Sequence, residues 1–242
     1  MKTFRLSPIL LGIAVTVFFS CDREENNFGD AVQVTEEEAL ELVQTSLTSD
    51  AYGMNVQAED ALALNNGDTS KIKYECGVLN SKSMERSSAI NAPVSFTHSI
   101  EYLFTLVCEE GQSKAFAIEF DGNGTYSSPR LQSDDTISYQ AVLGNIVSSE
   151  GPYVYNSSFV REGTQTTRIA SRTKNFDSTL SIESNAVAID KDTRELLGGS
   201  ATFSLQGTLG SGETFSYAGT ITFKGNGAAT ININGNTYNV QI

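Results

Sequence analysis

From Thr69 to the C-terminus, apolar and polar residues alternate with a period of two, the pattern of a strand with one face buried. Ala201-Thr202-Phe203-Ser204-Leu205-Gln206 is the plainest stretch. The alternation recurs at Phe116, Ile118 and Phe120, at Ile137, Tyr139, Ala141 and Leu143, and at Phe215, Tyr217, Ile221 and Phe223. It continues through Ala229, Ile231 and Ile233 to Tyr238, Val240 and Ile242. Clusters rich in Gly, Asn and Asp predict the turns: Asp121-Gly122-Asn123-Gly124, Ser133-Asp134-Asp135, Gly210-Ser211-Gly212, Gly225-Asn226-Gly227 and Asn234-Gly235-Asn236. The pattern predicts about ten strands, mainly antiparallel, with one sheet face in water.

Two segments depart from this. Residues 94–108 carry Ile100, Tyr102, Phe104 and Leu106 on one face and Leu103 and Val107 on the other, which predicts a central strand covered on both sides. Before Thr69 the period is helical. Thr35-Glu36-Glu37-Glu38 reads as a capping box, and Ala39, Leu40, Val43 and Leu47 predict an amphipathic helix over 36–48. A weaker helical stretch covers 56–64. The expected fold is therefore mainly β: an antiparallel sandwich or curved half-barrel with one or two N-terminal helices packed on it. Ile118-Glu119-Phe120-Asp121-Gly122-Asn123-Gly124 is echoed by Ile221-Thr222-Phe223-Lys224-Gly225-Asn226-Gly227, either from two related halves or from hairpins sharing one turn chemistry.

The N-terminus has a different character. Lys2 and Arg5 precede an apolar run, Ile9 to Phe19, shorter than the about 20 residues a membrane-spanning helix needs. The run ends in Phe18-Phe19-Ser20-Cys21, which resembles the lipobox of bacterial lipoproteins, with Phe18 where Leu is usual and a bulky Phe19. The alternative is an ordinary cleaved signal with a Cys at that point. The resemblance implies cleavage before Cys21, which would carry the acyl chains, palmitate among them. Asp22-Arg23-Glu24-Glu25-Asn26-Asn27 resembles the acidic signal that sends Bacteroidetes lipoproteins to the cell surface, and as a charge run it also reads as a solvated linker. The expected organisation is a signal peptide over 1–20, an acidic tether over 21–34 and one mostly β domain over 35–242, helical over 35–64 with strands over 69–242.

Charge and composition narrow the function. The chain holds 16 Lys+Arg against 29 Asp+Glu, and loss of Lys2 and Arg5 leaves (16 − 2) − 29 = −15. Such a surface lacks the clustered cations that bind nucleic acid, and membrane attachment falls to acyl chains rather than charge. One His and three Cys are too few for most zinc, haem and iron–sulfur sites, and no cofactor is expected.

Candidate chemistry is sparse. Asp121-Gly122-Asn123 begins like a calcium loop, but Tyr126 and Gln132 stand where Gly and a bidentate Glu are required. His98 has no nucleophile elbow near it, and Glu109-Glu110 reads as a solvated turn pair before an acid–base pair. Tyr126, Tyr139, Tyr153 and Tyr155 could stack on sugars or fill the core. Asp135-Thr136-Ile137 and Asp177-Ser178-Thr179 fit the O-glycosylation pattern of exported Bacteroidetes proteins. Cys76 and Cys108 remain as an even pair in an oxidising compartment, so a disulfide is expected. A simple hairpin of 69–79 on 94–108 would not bring them together.

Cys76-Gly77, Cys108, Gly122-Asn123-Gly124-Thr125-Tyr126, Arg161-Glu162-Gly163 and the tail from Phe215 through Gly225 to Asn234-Gly235 and Tyr238 resemble an uncharacterised family of exported Bacteroidetes lipoproteins. The likeness covers most of 35–242, implies a lipid-anchored β protein and adds no catalytic residue. The expectation is an outer-membrane, lipid-anchored protein, at the cell surface rather than the periplasmic face. Its expected role is a non-catalytic binding or interaction module. The alternative is a carrier of an apolar ligand such as a lipid or fatty acid.

Overall fold

Thr35 caps the first helix as its spacing predicts. In the computed structural model, which describes residues 33–48, 51–65 and 74–242, the Glu38 N–H donates to Thr35 Oγ1 at 3.3 Å. In return the Thr35 N–H donates to the Glu38 carboxylate at 2.7 Å. Helix α1 spans Glu36–Thr45, ending one turn sooner than predicted, and α2 spans Met54–Asn65. The signal segment, Cys21 and the tether up to residue 32 lie outside the described residues, as do 69–73 at the predicted start of the strands.

Ten strands follow: β1 Leu79–Ser87, β2 Ser95–Glu109, β3 Gln112–Ser127, β4 Leu131–Gly144, β5 Tyr153–Ile169, β6 Arg172–Ile189, β7 Leu196–Leu209, β8 Thr214–Gly225, β9 Ala228–Ile233 and β10 Asn236–Gln241. They form one open sheet in chain order, every neighbouring pair antiparallel.

The sheet cannot be flat. Ten strands side by side would be about 43 Å across, whereas a helix of twelve residues is about 18 Å long. Yet α2 reaches both edges. Its Asp60 accepts from Arg86 of β1 at 2.7 Å, and its Asn55 and Ala58 share a depression with Gly227, Ala228 and the terminal Ile242. Likewise Glu37 and Glu41 of α1 pair with Arg130 before β4, while Glu36 accepts from Tyr238 of β10. The sheet therefore curls around the helices as a half-barrel. That explains why α2 leaves only Glu59 and Ala63 exposed: a helix enclosed on all sides cannot be amphipathic.

The inward face is laid out in rows across the strands. Tyr102, Phe120, Tyr139, Phe159, Ile182 and Phe203 stand opposite one another from β2 to β7, all buried. Two inward rows further, four residues along each strand, His98, Gly124, Asp135, Gly163, Ser178, Gly207 and Phe215 stand opposite one another, glycines alternating with larger side chains. A Cβ would lie 2.0 Å from His98 Nδ1 at Gly124, 2.6 Å from Asp135 Oδ1 at Gly163, and 2.4 Å from the Phe215 ring at Gly207. The glycines make room for their neighbours.

That row overturns two predicted turns. Asp121-Gly122-Asn123-Gly124 lies in the interior of β3, and Ser133-Asp134-Asp135 lies within β4. Both runs carry turn-forming residues for reasons of packing: Gly124 accommodates His98, and Asp135 is an inward ion-pair partner. The other three predicted turns join strands, and Gly225, Asn226 and Gly227 all have positive φ. The seven-residue echo therefore has two structures, mid-strand at 118–124 and strand-to-turn at 221–227.

Candidate functional site

The row positions converge on a polar band between helices and sheet. Arg161 of β5 donates from Nε to Asp135 at 2.6 Å and from Nη1 to the Ser46 hydroxyl at 3.1 Å, so one guanidinium joins two strands to the end of α1. Gln165 donates to the same carboxylate at 2.7 Å, and Ser178 donates to the Gln165 carbonyl at 2.7 Å. Further along, Lys174 donates to Glu38 at 2.9 Å, and Thr167 donates to that carboxylate at 2.9 Å. Burial opposes the charge on Glu38, but the Thr35 backbone N–H, Lys174 and Thr167 outweigh it and hold the carboxyl below the usual range.

Under α2 the Tyr52 hydroxyl donates to Asp60 at 2.5 Å, and the Tyr102 hydroxyl lies 2.5 Å from that of Tyr52 and 2.9 Å from the same carboxylate. Burial first, then the Asp60 charge, raises Tyr52, while burial and the neighbouring Tyr52 and Asp60 raise Tyr102. Beside them His98 packs between the rings of Tyr52 and Phe96, with centroids at 5.2 and 5.6 Å. The Ala51 backbone is close, but neither ring nitrogen makes an aligned hydrogen bond. Burial, and then the nearby Arg161 charge, push His98 down to about 4. These groups hold helices to sheet, and they are sealed from water.

The residues singled out from sequence are therefore scattered. Tyr126, Tyr139, Tyr153 and Tyr155 are all buried and offer no stacking surface. Glu109 ends β2, where Lys114 lies 3.5 Å away in solvent, and Glu110 sits in the turn. Thr136 is exposed on β4, whereas Ser178 is buried against Gln165, where no glycan could be attached in the folded chain. Among the described residues, no group of three or more His, Cys, Asp or Glu is arranged to hold a metal ion. No helix among them is long and apolar enough to cross a membrane.

Cys76 and Cys108 form a disulfide, with Cα atoms 5.6 Å apart. The difficulty in their pairing disappears because the edge strand is Leu79–Ser87, not 69–79. Leu79 opposes Thr105, which leaves Cys76 just before β1, bridged to Leu106 at the far end of β2. The alternation did not reveal β1 because Leu79-Asn80-Ser81-Lys82-Ser83-Met84-Glu85-Arg86-Ser87 is an edge strand, mostly polar on both faces.

The accessible feature lies on the other face. On the outward side Leu79, Thr105, Ala117, Val142 and Asn156 stand in one row, and Ser81, Leu103, Glu119, Gln140, Ser158 and Glu183 stand in the next. All of these except Ser81 line an open groove of about 490 Å³. Leu79 is 64% exposed and Val142 43% exposed, while Ala117, the smallest side chain, leaves the depression between them. Val107, also 42% exposed, continues the apolar surface toward the disulfide. The strand expected to be central and covered on both sides is thus second from the edge and covered on one. Leu103 and Val107 were the signal of this groove, misread because a two-faced apolar strand is normally buried. Compared with protein-family models, with curated proteins and with solved structures, the chain matches none.

Proposed function

We propose that this chain is a lipid-anchored cell-envelope protein, attached through an acylated Cys21, that acts as a non-catalytic binding module. Its recognition surface is the outward groove across β1–β6. The reading rests on exposed Leu79 and Val142 flanking Thr105 and half-buried Ala117, on a sheet whose other face is already filled by two helices. Apolar surface kept in water on an otherwise polar sheet is the usual mark of an interaction site.

The groove and the first described residues lie at opposite ends of the strands. The described chain begins at Gln33 and Val34, whose carbonyls accept from Lys174 near the start of β6 and from Tyr217 near the start of β8. The groove lies toward the opposite ends of the strands, with the Cys76–Cys108 bridge. Tyr52, Tyr102 and His98, three groups whose proton affinities burial displaces, are enclosed beneath α2, which argues against a catalytic role for them. A carrier would need an apolar chamber of several hundred Å³ inside the half-barrel, where Met54, Ala58, Ala61 and Leu62 of α2 instead lie buried among the sheet's aromatic rows.

Native mass spectrometry of the protein released from detergent separates the two roles. A module is expected to fly without a bound lipid, and stoichiometric fatty acid or phospholipid would favour the carrier. Metabolic labelling with a palmitate analogue tests the anchor: wild type is expected to label and Cys21→Ala is not.

A further inference from the structure

We infer that the partner seated in the outward groove is a cationic, partly apolar extended segment of another protein, an inference that rests on the groove being a recognition surface. The charge around the groove points to this partner. In the two rows beyond the groove, Ser83, Glu101, Asp121, Ser138, Val160 and Ser181 stand opposite one another, followed by Glu85, Ser99, Asn123, Thr136, Glu162 and Thr179. With Glu119 and Glu183 in the groove itself, these four rows hold six carboxylates and no Lys or Arg. Glu101 and Asp121 face each other directly across β2 and β3. Like charges directly opposite destabilise a sheet, and neither row contains a Lys or Arg. Such an arrangement is complementary to a basic partner and repels an anionic membrane surface.

The dimensions fit an extended peptide. Alternate outward residues of a strand are about 7 Å apart, so Glu119 and Glu183 lie one such step from the apolar row. A Lys or Arg next to a side chain seated over Ala117 could reach Glu119, while Glu183, three strands and about 14 Å across, would take a second cation along the segment. A divalent cation would satisfy the carboxylates but leave the apolar row uncovered.

The test uses the acylated protein in zwitterionic nanodiscs and three short fluorescent peptides, alternating Val with Lys, with Ser or with Glu. The Val/Lys peptide is expected to bind, more weakly as salt is raised. Its affinity is expected to fall about tenfold in Ala117→Phe, which fills the groove and keeps the charges, and again in Glu101→Gln with Asp121→Asn. Unchanged affinity in Ala117→Phe would reduce the binding to diffuse attraction and overturn the inference. If the Val/Ser peptide binds as tightly and Ala117→Phe abolishes it, the basic partner is wrong while the recognition surface stands. Tightest binding by Val/Glu, or no binding by any peptide, also overturns the inference.

Discussion

Gly124 lies where a Cβ would stand 2.0 Å from His98 Nδ1, so the absence of a side chain on β3 is what allows a histidine to be buried on β2. The Thr97 carbonyl, 2.6 Å from the same position, closes the other side. Gly124→Ala is therefore expected to destabilise the fold by about 1–3 kcal/mol through overpacking. His98→Ala in the same chain should recover part of that loss. Denaturant titration of the single and double variants measures the coupling, and full additivity would mean the two residues do not share the space.

His98 also makes stability depend on pH. Its proton affinity is lowered from 6.5 to about 4 in the folded chain, so between these values the unfolded chain binds more protons. Its contribution is complete above pH about 6.5 and is lost as pH falls toward 4, to a limit of about 3 kcal/mol. In His98→Phe, which keeps a ring between Tyr52 and Phe96, the stability curve should be flatter over this window. An unchanged curve would assign the acid dependence to other groups.

Arg161 and Asp135 form a buried pair, their side chains 9% and 3% exposed. Arg161→Ala is expected to cost about 3–5 kcal/mol, chiefly because it leaves Asp135 charged and unpaired. Adding Asp135→Leu should return much of the loss in a thermal melt. A loss in the double variant equal to the sum of the two single losses would show that the ends of the pair act independently.

The disulfide spans a sequence separation of 32 and fastens the start of edge strand β1 to the end of β2. Chain entropy gives it about 3–4 kcal/mol. Cys108→Ser should lower the melting temperature and increase hydrogen exchange in β1 first, since β1 pairs only with β2. Two free thiols in unreduced, denatured protein would contradict the bridge.

The elements most easily read from the sequence are those whose signals are local. The Thr35–Glu38 capping box spans four residues, and the inward alternation at Phe116, Ile118 and Phe120 requires only that the strand have a buried face. The errors arise where a residue's reason lies on another strand. Gly122 and Asp135 carry turn chemistry in isolation, but one sits under Ile100 and the other under Arg161. The groove is harder still. Leu79, Ala117 and Val142 share a row only because of register across β1–β4, and no window of the chain contains all three.

Recognition of the partner is proposed for the outward face of β1–β6. Its most direct test is a photo-crosslinking side chain at Val142, in the groove, compared with the same group at Thr222, outward on β8 and away from it. In intact cells the Val142 variant is predicted to give a discrete adduct that disappears when Ala117→Phe is added, and the Thr222 variant none. Equal crosslinking from both positions, or a Val142 adduct that survives Ala117→Phe, would contradict the account.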